Sequence, residues 1–142
     1  MLRVTVLCVG TLKEDYLRAA ASEYQKRLGA YCTFTVKECR EERELLPFLQ
    51  SARAYKIALC VEGRMRSSEE LAELLCELPM RGHSSVIFVI GDSDGMRRET
   101  KEACDLRLSF SPMTFPHQLM RIILMEQIYR CMNINGGGKY HK

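Results

Sequence analysis

The chain opens with RVTVLCV (3–9), in which polar and apolar positions alternate and β-branched side chains dominate, a pattern that predicts a strand. KEDYLRAAASEYQKRL (13–28) places Tyr16, Leu17, Ala20, Tyr24 and Leu28 on one helical stripe, with Gly29 as the stop. TFTVKE (33–38) alternates like a strand with one wet face, and the stretch 40–52 passes from charged to apolar, predicting a short helix. KIALCVE (56–62) is almost continuously apolar, as in a strand covered on both faces. In SSEELAELLCEL (67–78), Ser67 and Glu70 have capping-box spacing, and Leu71, Leu74, Leu75 and Leu78 form the stripe. SVIFVI (85–90) predicts another buried strand, 96–104 a short helix, LRLSF (106–110) a last strand, and 116–132 a long helix.

Strands that alternate with helices in this way predict one α/β domain over 1–142, with a mostly parallel sheet and helices flanking it. Ligands of such sheets sit beyond the carboxyl ends of the strands. Three loops fall on that edge: EGRMRSS (62–68), GDSDG (91–95) and SPMTFPH (111–117).

Composition narrows the classes. With 46% hydrophobic and 27% charged residues the chain is globular, and no apolar run approaches the ~20 residues that cross a bilayer. MLRVTVLCVG alternates too regularly for a signal peptide, so a cytoplasmic protein with no membrane partner is expected. The net charge of +3 permits an RNA partner without requiring one. Seven cysteines without a C-x-x-C pair read as reduced thiols, many of them buried, and no metal site is expected.

GDSDG also fits the G-x-S-x-G nucleophile elbow, and Ser93, Asp105 and His117 follow in hydrolase order. The twelve-residue spacings leave no room for an acid on a later strand, and nothing resembles an HGGG segment, so the pattern reads better as a glycine-flanked turn. His117 follows Pro116 at a helix start, where a helix-start hydrogen bond and a catalytic role are both open. The last helix is apolar on more than one face (Leu119, Met120, Ile122, Ile123, Leu124, Met125, Ile128 and Met132) and is expected to be both the central helix and a subunit interface. After Gly136 to Gly138 the chain ends in Tyr140, His141 and Lys142: a ring on which bases stack, a titratable group and a cation.

SFSPMTFPHQLMR (109–121), followed by IILMEQIYR and a terminal YHK, resembles the ribosomal RNA large-subunit methyltransferase H family of small SPOUT-class enzymes. VTVLCVGTLKEDYL, EYQKRL and FVIG match as well, so the resemblance spans nearly the whole chain. It implies a homodimer with a trefoil knot in the C-terminal part of the α/β fold. It also implies methyl transfer from S-adenosyl-L-methionine to N3 of a pseudouridine in helix 69 of 23S rRNA, on the assembled ribosome.

Carried over, the cofactor contacts fall on Leu59, Gly91, Phe110, Ser111, Pro112, Met113, Thr114 and Phe115. Phe110, Met113 and Phe115 would enclose the adenine, Pro112 and Pro116 would restrict the loop, and Gly91 would let backbone approach the ligand. The imide N3 must lose its proton. His141, reaching the partner's site, is the first candidate acceptor, with Tyr140 orienting the base and His117 the second candidate; Arg130, Lys139 and Lys142 would hold phosphates.

Two departures stand out. Asp92 replaces a second glycine common in the family, and the segment between TFTVKE and KIALCVE is shorter, a loss expected to trim a peripheral helix and spare the pocket. The competing classes are a serine hydrolase at Ser93 and a non-catalytic ribosome- or RNA-binding protein without a donor site.

Overall fold

A computed structural model describes all residues, Met1–Lys142. Its elements are β1 (Arg3–Val9), α1 (Asp15–Leu28), β2 (Thr33–Cys39), α2 (Leu45–Ser51), β3 (Tyr55–Met65), α3 (Ser68–Glu77), β4 (Ser85–Val89), α4 (Arg98–Glu102), β5 (Leu106–Ser109) and α5 (His117–Asn135). The five strands form one sheet in the order β2-β1-β4-β3-β5, and every pairing is parallel.

Alternation along β1 and β4 divides the core. Val4, Val6 and Cys8, with Val86, Phe88 and Ile90, face the larger cluster, where Leu28, Leu75, Leu124 and Ile128 arrive from α1, α3 and α5. Leu7, Val9, Ile87 and Val89 face the smaller one, completed by Leu45 and Leu49 of α2. Both faces are therefore covered, which explains why β3 and β4 read as continuous apolar runs. The shortened segment holds the helix expected at 40–52, and Leu45 and Leu49 on it are entirely buried. Just before it, the buried carboxylate of Glu42 accepts from the Arg97 amide (2.9 Å) and the Thr100 hydroxyl (3.0 Å), fixing the start of α4.

The Ser67–Glu70 capping box forms as its spacing predicts. The Ser67 hydroxyl accepts from the Glu70 amide at 3.0 Å, and the Glu70 carboxylate accepts from the Ser67 amide at 2.8 Å. Caps of this kind contribute about 1 kcal/mol.

The largest difference from the pattern lies in β3. It continues to Met65 instead of ending at Glu62, and its register against β5 slips: Leu59 and Arg64 both lie opposite Leu108. The residues between them bulge outward. Gly63 makes the close approach to β5 possible, because a Cβ there would stand 2.8 Å from the backbone of Arg107 and Leu108. Nothing in EGRM alternates with period two, so the extension was invisible to periodicity.

α5 lies against both α1 and α3 and runs three residues past Met132. Most of its apolar breadth is consumed inside the chain, since Ile122, Leu124, Met125, Ile128 and Met132 are buried; only Leu119 is exposed. Its first turns are anchored by Arg121, which is 3% exposed. The Arg121 guanidinium donates to Glu38 on β2 (2.6 Å) and to the Gly10 carbonyl after β1 (2.9 Å). This ion pair fixes the helix start at the carboxyl edge of the sheet.

Candidate functional site

Three segments at that edge enclose a cleft of about 590 Å³: Leu59 to Glu62 of the β3 bulge, Ile90 to Met96 after β4, and Phe110 to His117 after β5. The GDSDG and SPMTFPH loops thus meet as expected. From EGRMRSS only Glu62 reaches the cleft, because the rest continues β3 or leads into α3. Leu59, Gly91, Phe110, Ser111, Met113, Thr114 and Phe115 all form its walls, as does His117; Pro112 is exposed and is not a wall.

The loop after β5 is held by its own hydroxyls. Ser109 Oγ donates to the Ser111 carbonyl at 3.1 Å, and the Met113 amide donates to Ser111 Oγ at 3.0 Å. Pro116 sits at the N-cap of α5 with φ −56°, so His117 is the first helical residue and half-buried at the cleft. Ring constraint at Pro116 and the Ser111 turn limit the freedom of the loop. Met113 remains 71% exposed, a side chain at the rim.

GDSDG folds as a turn of its own. The Asp94 amide donates to Asp92 Oδ1 (2.9 Å), and the Gly95 amide donates to the Asp92 carbonyl (2.9 Å). The left-handed residue is Gly95, at φ 92°, so Asp92 needs no special backbone. A Cβ on Gly91 would lie 2.8 Å from Gly95 and 2.9 Å from Met96 N. Gly91 therefore makes room for the chain's own turn, and it also stands in the cleft wall. The hydrolase arrangement lacks its acid: Asp105 Oδ2 accepts from the Lys56 amide at 2.8 Å, and the Asp105 amide donates to the Lys56 carbonyl, also at 2.8 Å. Ser93 and His117 share the cleft, while Asp105 belongs to the β3–β5 ladder.

Charge in the cleft comes from Glu62, Asp92 and Lys101. The Lys101 ammonium of α4 pairs with the Glu62 carboxylate, and this hydrogen bond holds the Glu62 carboxyl below its ordinary range. Cys60, beside them, has its thiol pushed up by burial and is a poor nucleophile. No group of three or more His, Cys, Asp or Glu side chains could hold a metal ion.

The tail is not frayed, and it does not line this cleft. Asn133 Oδ1 accepts from the Tyr140 amide (3.1 Å), and the Tyr140 hydroxyl donates to Glu126 Oε2 (2.7 Å). The Tyr140 ring meets Tyr129 edge-on at 4.8 Å, and the Arg130 guanidinium lies 4.8 Å over it. Burial and the Glu126 carboxylate push the Tyr140 phenol well above its ordinary range. Arg130 also bonds Glu126 (2.6 Å) and donates to His141 Nδ1 (3.0 Å), while His141 Nε2 faces Glu69 Oε1 at 2.5 Å. Both ring nitrogens of His141 are thus engaged, with the tautomer assigned from this network. Lys139 and Lys142 are exposed and point to no partner. Of the tail's anchors, only Glu126–Arg130 was legible, as an i,i+4 pair; Glu69 and Asn133 carried no signal.

Known proteins agree with this architecture. The family model described as "Predicted SPOUT methyltransferase" matches residues 2–141. "Ribosomal RNA large subunit methyltransferase H" of Clostridium novyi is 43% identical, covering 99% of this chain and 100% of the relative. The protein of the same description from Clostridioides difficile is 40% identical over the same shares. Among solved structures, a "Probable Methyltransferase" from Bordetella pertussis Tohama I superposes with TM-score 0.60 at 13% identity, covering 92% of this chain and 96% of that one. A Legionella pneumophila methyltransferase solved with SAM bound gives TM-score 0.51 at 10% identity over 94% and 66%. An all-parallel sheet, a cleft at its carboxyl edge and a match over almost every residue lead to one conclusion: this chain belongs to the SPOUT methyltransferase family.

Proposed function

We propose that this protein is a cytoplasmic homodimeric enzyme that methylates N3 of a pseudouridine in helix 69 of 23S rRNA within the ribosome, using S-adenosyl-L-methionine. The observation that carries the reading is the cleft built by the Phe110–Phe115 loop against Leu59 and the Ile90–Met96 turn. Its volume of about 590 Å³ lies in the range of small-molecule sites, and its walls combine aromatic, hydroxyl and charged groups. That set suits a molecule with a flat base, a hydroxylated sugar and a charged amino-acid end. The relatives' description as large-subunit rRNA methyltransferases supplies the acceptor class.

When bound, the donor supplies an electrophilic methyl group on its sulfonium. Phe110, Phe115 and Leu59 would clasp the adenine, and Ser111 and Thr114 would offer polar contacts to its edge and ribose. Catalysis by this chain is then chiefly alignment of the acceptor nitrogen with the methyl carbon.

The N3 proton needs a destination. His117, which lines the cleft, would be one acceptor. His141, the first candidate from the sequence, is held by Arg130 and Glu69 within one chain and would leave them to act at the partner's site. Tyr140 and His141 would act from the second subunit, whose tail would reach the RNA entrance. Arg130 fixes the tail, and exposed Lys139 and Lys142 would meet phosphates. Exposed Tyr16 and Leu119, near the starts of α1 and α5, would contribute to the dimer surface. The C-terminal knot comes with the family reading.

The test is transfer of a labelled methyl group to intact ribosomes and to naked 23S rRNA. Ribosomes should be good acceptors and naked RNA poor, because a net charge of +3 leaves docking to shape. Equal rates on both would refute ribosome docking, and no transfer to either would refute the enzyme.

A further inference from the structure

The amino-acid end of the donor is the part of that ligand for which the Phe110–Phe115 loop provides no charge. Among the cleft walls, Lys101 is the only lysine or arginine. It stands on α4, with its side chain 21% exposed, and its ammonium is paired with Glu62 from the β3 bulge, whose side chain is 56% exposed. A partly exposed ion pair contributes little to folding stability, so stability gives no reason to place this one inside a cleft. The other wall carboxylate, Asp92, has one oxygen committed to the Asp94 amide of its own turn.

Adenosylmethionine carries one anionic group, its carboxylate, and one ammonium besides the sulfonium. Adenine and ribose carry neither. A lone cation in the cleft is complementary only to that carboxylate, and the anion next to it is complementary to the ammonium. We infer that Lys101 and Glu62 form the subsite for the amino-acid end of the donor, with the Lys101 ammonium on the ligand carboxylate and the Glu62 carboxylate on the ligand ammonium. The inference rests on the donor reading above. The protein pair need not break: each charge keeps its neighbour and gains one ligand group, giving a ring of four alternating charges. The bulge at residues 60–63 acquires a purpose as well, since it sends Glu62 toward the cleft and α4.

The test is calorimetric titration of wild type, Lys101→Met and Lys101→Arg with two ligands. Adenosylmethionine has the amino-acid end; 5′-methylthioadenosine has the same nucleoside without it. Lys101→Met should weaken adenosylmethionine binding by about 10- to 100-fold, the range of one charge-assisted hydrogen bond. It should change methylthioadenosine binding by less than about twofold, and Lys101→Arg should recover most of the loss because it restores the cation. Equal losses for both ligands would overturn the subsite, since Lys101 would then act on the nucleoside or on the fold; no loss for either would overturn it too. Failure of wild type to bind either ligand would instead bring down the donor reading, and the subsite with it.

Discussion

Replacing Gly63 by alanine tests the close approach of the β3 bulge to β5 most directly. The added methyl would lie 2.8 Å from Arg107 C, Leu108 N and Leu108 C, whereas ordinary contact begins near 3.4 Å. All three neighbours are backbone, so no side chain can swing aside. β5 must therefore retreat by roughly 0.6 Å, or the bulge must unwind, either of which disturbs parallel pairing next to Leu108, itself buried. Overpacking of this kind costs about 1–3 kcal/mol, and loss of glycine's freedom in the unfolded chain returns about 0.4–1 kcal/mol. The net expectation is about 1–2 kcal/mol, or a fall in Tm of about 3–8 °C for a domain of this size. β5 leads straight into Phe110, so the variant should also bind adenosylmethionine more weakly. Gly29→Ala is the control: its backbone is right-handed (φ −59°) and its nearest contact is 3.4 Å, so it should be neutral or slightly stabilised. Thermal and urea denaturation of the two variants side by side decides the matter. A Gly63→Ala protein melting within about 1 °C of wild type would refute the steric argument.

Removing the guanidinium in Arg121→Met strips the Gly10 carbonyl and Glu38 of a buried partner; because the Glu38 side chain is 37% exposed, we expect a loss of about 2 kcal/mol by urea denaturation, less than for a fully buried pair. Wild-type stability in that variant would show that the pair does not anchor α5. The thiols give a pH prediction. Burial pushes Cys8, Cys32 and Cys104 up to about 11 and Cys131 up to about 12, against an ordinary value of 9.0. Between pH 9 and 11 the unfolded chain therefore sheds thiol protons that the folded chain keeps, and stability should fall as pH rises through that window. Denaturation midpoints that stay flat across it would contradict the burial. In native protein at neutral pH, iodoacetamide should label exposed Cys76 well ahead of these four, as read by peptide mass mapping.

Much of the secondary structure was written locally. Period-two runs located β1 and β2, a continuous apolar run located β4, the Ser67–Glu70 spacing started α3, and Gly29 ended α1, because each signal depends on residues a few positions apart. The loops that form the cleft were legible for the same reason: once strands and helices alternate, the carboxyl ends of parallel strands share one edge. The long-range features were not. Strand order β2-β1-β4-β3-β5, the register slip that brings Gly63 against the β5 backbone and the pairing of Lys101 with Glu62 all join residues with no shared period. The tail shows the difference most plainly. Tyr140 and His141 could be recognised as chemistry, yet Glu126 and Asn133 became partners of Tyr140 only when the tail folded back on α5, and Glu69 met His141 only when α3 packed beside it. The sequence by itself determined which segments become strands and helices and which side chains gather at one edge, since hydrophobic period and capping act over a turn or two. Tertiary packing alone decided which backbone passes which and where each charge finds its partner, since those energies exist only between segments brought together from far apart in the chain.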